Sequence, residues 1–186
     1  MNLPNILTLT RVLMIPLFVI FIMDKHYGWA LITFVIAGVT DGIDGLIARI
    51  THQRTELGAY LDPIADKLLL FSAFITLAIV EIIPNWLVVI VITRDVIILV
   101  GFLVMLLMGY RPKISPKLLS KVTTAFQIIT IALALLTGYY PTFKELSVIA
   151  IYGTAVMTIL SGSQYIFIGT RLLNTKNSPP PGATKP

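Results

Sequence analysis

The chain has 186 residues, of which 56% are hydrophobic and only 12% charged. Soluble domains carry about 25% charged residues, so this composition excludes an ordinary soluble fold and points to a single membrane domain. The absence of cysteine rules out disulfides and thiolate metal sites, and the formal net charge of +5 directs attention to anionic lipids and phosphates.

The expected fold is an all-α integral membrane protein with six transmembrane helices, a short amphipathic N-terminal lead-in and both termini cytoplasmic. Residues 2–11 form the lead-in, with Pro4 in a first turn that lacks an N–H partner anyway. The first spanning helix then runs to Met23. No basic region precedes it and no small-residue cleavage site follows, so it is not read as a signal peptide. After a polar turn at 24–28, the second helix covers Trp29 to Ile50. His52 lies in the polar connection 51–57 with no ligand-spaced partner and reads as a solvated loop residue. The third helix starts near Gly58, carries Pro63 in its first turn and ends near Val80.

The fourth helix, Trp86 to Met108, carries Arg94 and Asp95 in mid-span. These two could pair as a buried structural link, but neighbours in sequence point apart on a helix, so partners on other helices are expected. Residues 109–117 form a basic loop stiffened by Pro112 and Pro116. The fifth helix spans Leu118 to Leu136 and the sixth Leu146 to Leu172. The sixth contains Gly153, Ala155, Ser161, Gly162 and Ser163, small residues that suit close packing. Residues 1–173 are therefore expected to form the membrane domain and 174–186 a disordered tail.

Runs of roughly 18–25 apolar residues cross a hydrocarbon core of about 30 Å. Six crossings sort the cations by side. Arg49, Arg54, Arg111, Lys113, Lys117, Lys121, Arg171, Lys176 and Lys185 fall on one side, and only Lys25 and Lys144 on the other. The positive-inside rule makes the first side cytoplasmic.

Four carboxylates stand out against this apolar background. Asp41 and Asp44 are three residues apart; Gly58, Asp62 and Asp66 are four apart. Each set shares a helix face, and the connection between the helices would bring the sets together. An isolated Asp is often a helix cap or a loop residue. Four at these spacings inside spanning segments are costly and mark a functional site. Oxygen-only ligands favour hard divalent cations. Two such ions about 3.5–4 Å apart suit in-line displacement at phosphorus.

The stretch reads D-x2-D-G-x2-A-R-x8-G-x3-D-x3-D from Asp41 to Asp66, without a substitution. It resembles the signature of the CDP-alcohol phosphatidyltransferases. Asn5, Thr8 and Arg11 form N-x2-T-x2-R, which is similar to that family's N-terminal motif, although Asn5 serves equally as a helix cap.

The resemblance implies two divalent cations, Mg2+ or Mn2+, held by Asp41, Asp44, Asp62 and Asp66, with Asp66 also the catalytic base. It implies a CDP site at Asn5, Thr8, Gly45, Ala48, Arg49 and Gly58. For Gly45 helix packing, for Arg49 interfacial snorkelling and for Gly58 a plain helix start are the structural alternatives. Arg111, Lys117 and Lys121 would hold an acceptor phosphate, or merely anionic lipid.

The stretch from Ser120 to Gln127 resembles the G-K-x-K-T-x2-Q segment of phosphatidylglycerophosphate synthases, with Ser120 for Gly and Thr123 for Lys. The implied substrates are CDP-diacylglycerol and glycerol 3-phosphate, in a homodimer in the cell membrane with its site facing the cytoplasm. No nucleic-acid partner is expected. The alternatives are an inositol phosphate acceptor, a phosphatidylglycerol acceptor giving cardiolipin, or a carboxylate-lined cation transporter. Transporters place their sites near the midplane between broken helices, whereas this cluster lies at one end.

Overall fold

The computed structural model describes the backbone of residues 3–50, 56–107 and 118–176, and the side-chain surroundings of residues 10–40, 65, 67–101 and 118–167. Among these residues every regular element is helical. They are α1 (Leu3–Met23), α2 (Tyr27–Ile50), α3 (Glu56–Ile79), α4 (Asn85–Leu107), α5 (Leu118–Tyr139) and α6 (Lys144–Lys176), with a 3-10 turn at Pro141–Phe143. Helices satisfy their own backbone hydrogen bonds, which an apolar medium requires.

Two expectations change. The lead-in over 2–11 is not a separate element, because α1 is continuous from Leu3 to Met23. Pro63 is not in a first turn, because α3 begins at Glu56 and the proline lies about two turns inside it. The polar start Glu56-Leu57 reads as loop by composition, yet it continues the helix. At the other end α6 runs to Lys176, and residues 177–186 of the expected tail lie outside the described residues.

α1 packs most extensively against α2 and α3, and α6 against α5 and α4; α5 joins the two groups through α2 and α3. The shared core includes Phe18, Ile22, Phe34, Phe74, Leu77, Leu87, Ile131 and Leu135. The Phe18 and Phe34 rings sit 5.7 Å apart at the α1–α2 contact. Gly138 faces the Tyr27 ring so closely that a Cβ there would stand 2.5 Å from it. Any side chain there would force the Tyr27 ring, or the start of α2 that carries it, to shift.

The surface is apolar and the interior partly polar. Leu13, Val89, Leu99, Ile149 and Phe167 are exposed, while Thr123, Gln127, Thr130, Thr154, Thr158 and Ser161 are buried. Hydroxyls clip α5 to α6: Thr130 Oγ1 donates to the Ala150 carbonyl at 3.1 Å and lies 2.7 Å from Thr154 Oγ1. Thr123 Oγ1 donates to the carbonyls of Leu119 and Met157. Such hydroxyl bonds are what helix association uses where lipid surrounds the bundle. Residues 118–139 and 141–167 are long and apolar enough to cross a membrane; 10–23, 27–40 and 67–79 are shorter apolar helical stretches.

α1 and α3 end in the same way. His26 N donates to Phe21 O and Lys25 N to Ile22 O; Ile82 N donates to Leu77 O and Glu81 N to Ala78 O. This is the Schellman pattern, and it places Lys25 and Glu81 in the left-handed region at φ 60° and 61°. Glycine occupies that region without penalty. Lys25→Gly and Glu81→Gly should therefore each stabilise the bundle by about 1 kcal/mol. Thermal unfolding in detergent measures this, and a lowered midpoint in both variants would count against strained caps.

Candidate active site

On α2 the residues turned into the bundle are Ala30, Thr33, Phe34 and Ala37. Continued at about 100° per residue, that stripe passes through Asp41, Asp44 and Ala48, each within about 40° of Ala37. On α3 the buried stripe is Leu69, Leu70, Ala73 and Leu77. Traced back, it passes through Asp66 and Asp62 and reaches Gly58 at its edge. Both aspartate pairs thus occupy inward register positions, at the end of the bundle where α2 finishes and α3 begins. Gly45 lies beside the α2 stripe and Arg49 off it.

The side chains of Asp41, Asp44, Gly45, Ala48, Arg49, Gly58, Asp62 and Asp66 lie outside the described residues, as do those of Asn5 and Thr8 on α1. Arg111 and Lys117 lie outside them altogether, and Lys121 is exposed near the start of α5. Among the described residues no three His, Cys, Asp or Glu side chains converge.

The described part of the bundle contains a charge network instead. Asp95 Oδ1 accepts from Arg94 Nη1 at 2.5 Å, and Oδ2 from Lys67 Nζ at 2.6 Å. Arg94 Nη2 donates to Ser120 Oγ at 2.8 Å and to Ser161 Oγ at 2.7 Å. Its Cζ also stands 6.0 Å from the Tyr165 ring centroid. One dipeptide on α4 therefore connects to α3, α5 and α6. The expectation of partners on other helices holds, but Arg94 and Asp95 also pair with each other. The long guanidinium side chain reaches the neighbouring carboxylate although their Cβ atoms diverge.

Ser120 and Thr123 gain a structural account. The Ser120 hydroxyl accepts from the buried Arg94, which a glycine could not do. Thr123 is completely buried against α6, so no cation projects into a site from there. Arg11 is the most completely buried cation among the described residues, at 1% exposure. Its signal in the sequence is a lone cation in an apolar stretch, which is functional by default. Lys67 carries less signal, because a lysine beside a cluster of aspartates resembles an ordinary interfacial residue.

A cavity of about 530 Å3 bordered by Glu81, Asn85, Trp86 and Tyr152 lies at the α3–α4 turn, the end of the bundle opposite the α2–α3 join.

The family model of the CDP-alcohol phosphatidyltransferases matches residues 1–160. The chain is 34% identical to a CDP-diacylglycerol–glycerol-3-phosphate 3-phosphatidyltransferase of Bacillus subtilis, over 95% of this chain and 99% of that protein. It is 34% identical to a probable phosphatidylglycerophosphate synthase of Mycobacterium tuberculosis, over 89% of this chain and 80% of that one. It is 39% identical to a probable CMP-forming cardiolipin synthase of Drosophila melanogaster, over 73% of this chain but 47% of that longer protein.

Removing the buried anion leaves two cations uncompensated. Asp95→Ala should cost roughly 3–5 kcal/mol, while Ser120→Ala, which leaves Ser161 as acceptor, should cost about 1–2 kcal/mol. Unfolding of the purified variants checks the order; a larger loss from Ser120→Ala would contradict it.

Proposed function

The chain belongs to the CDP-alcohol phosphatidyltransferase family and is a membrane-embedded phosphatidyltransferase; from that premise we propose that it transfers a phosphatidyl group from CDP-diacylglycerol to glycerol 3-phosphate, giving phosphatidylglycerophosphate and CMP. The observation that carries this reading is the unbroken motif from Asp41 to Asp66, set at the inward register of α2 and α3.

The donor chemistry fits hard divalent cations, because the motif offers four carboxylates and no nitrogen or sulfur ligand. Asp41, Asp44, Asp62 and Asp66 would hold two, Mg2+ or Mn2+. When bound, they supply positive charge for displacement at phosphorus. Asp66 takes the proton from the acceptor hydroxyl. That oxygen forms a bond to the diacylglycerol-linked phosphorus, the bond to the CMP phosphate oxygen breaks, and CMP leaves with the electron pair. Gly45 and Ala48 leave room for the nucleotide, beside Asn5, Thr8, Arg49 and Gly58. Arg111, Lys117 and Lys121 hold the acceptor phosphate.

The membrane domain is residues 1–173, spanning six times with both termini and the site on the cytoplasmic side and working as a homodimer. The sorting of Lys and Arg supports the orientation. The native chain lacks cysteine, so single cysteines report it directly. Replacements at Arg54 and Ser115 should react with an impermeant reagent only from the cytoplasmic side, and at His26 and Thr142 only from the other. The reverse pattern would refute the topology.

A second reading, phosphatidylglycerol as acceptor, fits the relatives less well over their full length but draws on two observations. Identity reaches 39% with the cardiolipin synthase, and Thr123 supplies no cation where the phosphatidylglycerophosphate synthase pattern has lysine.

CMP release from CDP-diacylglycerol with each acceptor decides between them. Glycerol 3-phosphate should react best, and Arg111→Ala should raise its KM without changing that for CDP-diacylglycerol. Faster reaction with phosphatidylglycerol would transfer the assignment to the second reading. Chelation should abolish turnover, and Asp41→Asn, Asp44→Asn and Asp62→Asn should each lower kcat by about a hundredfold or more. Full turnover in metal-free protein would defeat the carboxylate chemistry.

A further inference from the structure

Lys67 follows Asp66 directly on α3, and its ammonium is fixed 2.6 Å from Asp95 on α4. We infer that the Lys67–Asp95 ion pair, backed by Arg94, sets the rotation and axial register of α3 and thereby positions Asp66 for the phosphatidyl transfer; Lys67 is a positioning residue of that reaction. The inference rests on the role proposed above for Asp66.

The rest of the packing around α3 does not set register sharply. Its inward stripe of Leu69, Leu70, Ala73, Phe74 and Leu77 meets apolar neighbours. Apolar contact is non-directional, so sliding or turning a helix along it changes the energy gradually. A charge-assisted hydrogen bond is short and directional. α3 also touches α4 less than it touches α1, so a specific tie there matters more.

The far side of the tie is rigid. Asp95 has only 4% of its side chain exposed and its second oxygen is taken by Arg94. Arg94 is in turn held by hydroxyls on α5 and α6. Lys67 is thus referenced to three helices at once. Adjacent residues on a helix move as one body, so a shift of α3 that displaced Asp66 would stretch this bond.

The fold does not need Lys67 in the way it needs Arg94. Asp95 keeps a cation when Lys67 is lost, and the Lys67 side chain is 36% exposed, so its aliphatic stem can be replaced by methionine. A network that served stability alone would place its essential charges in the buried Arg94–Asp95 pair and be indifferent to Lys67.

The experiment compares the intact chain with Lys67→Met and Lys67→Arg in detergent or nanodiscs, following CMP release and unfolding. Lys67→Met is expected to stay folded, to keep both KM values within about twofold and to lose about a hundredfold in kcat, the scale of an ångström-level misplacement. Lys67→Arg, which can still reach Asp95, should restore most of that loss. Mn2+ binding followed by electron paramagnetic resonance should weaken in Lys67→Met and recover in Lys67→Arg, a readout independent of turnover.

Unchanged kcat in Lys67→Met overturns the inference. So does a loss confined to KM, which would make Lys67 a substrate contact, or a loss that arginine does not restore. If the parent chain itself releases no CMP with any acceptor, the transferase reading fails instead; the Mn2+ titration still tests the tie.

Discussion

Asp95 answers two cations from two helices, and its burial dictates how the second half of the bundle is assembled. In an apolar interior a carboxylate with one cation nearly breaks even, while a cation left alone costs several kcal/mol. Arg94 can stay buried because Asp95 pairs with its Nη1 and Ser120 and Ser161 accept from its Nη2, although Nε has no partner among the described residues. Those serines belong to α5 and α6, so satisfying one guanidinium fixes the placement of two further helices. The hydroxyl contacts of Thr123, Thr130 and Thr154 extend the same principle along the α5–α6 seam.

The first half of the bundle is assembled differently. Along α2 and α3 one stripe changes character partway: it is apolar where the helix packs and acidic where the helix approaches the site. The apolar half puts the aspartate positions on the inward register of each helix only coarsely, and on the inference above the Lys67–Asp95 pair sets α3 more finely. In the proposed site four carboxylates would repel one another until counter-charge is present.

Much of this was legible in the residues themselves. Apolar runs between polar turns locate all six helices, and the spacing of Asp41, Asp44, Asp62 and Asp66 puts each pair on one face of its helix. What escaped had local reasons. Lys25 and Glu81 end helices in a conformation associated with glycine, so neither looks like a cap. Glu56 and Leu57 resemble loop yet start α3, which moves Pro63 into its interior. Arg94 and Asp95 pair through side-chain length, which spacing rules based on Cβ direction do not see. Ser120 looks like a departure from a motif until Arg94 is placed beside it. The acceptor pocket stays the least legible part, because Arg111 and Lys117 belong to a loop whose composition suits phosphate and lipid equally.

Short turns join the helices at one end of the bundle. Away from the site, α1–α2, α3–α4 and α5–α6 are joined by short turns over 24–26, 80–84 and 140–143, two of them closed by Schellman hydrogen bonds. At the site end the joins cover 51–55 and 108–117. Measured from its short turn, each helix of a pair is a long arm. From Ile79 to Asp62 the arm is roughly 25 Å at 1.5 Å per residue, so a tilt of about 5° moves the carboxylate by about 2 Å. On the role proposed for Asp62, a tilt set by bilayer thickness would therefore be magnified at the carboxylate relative to the turn.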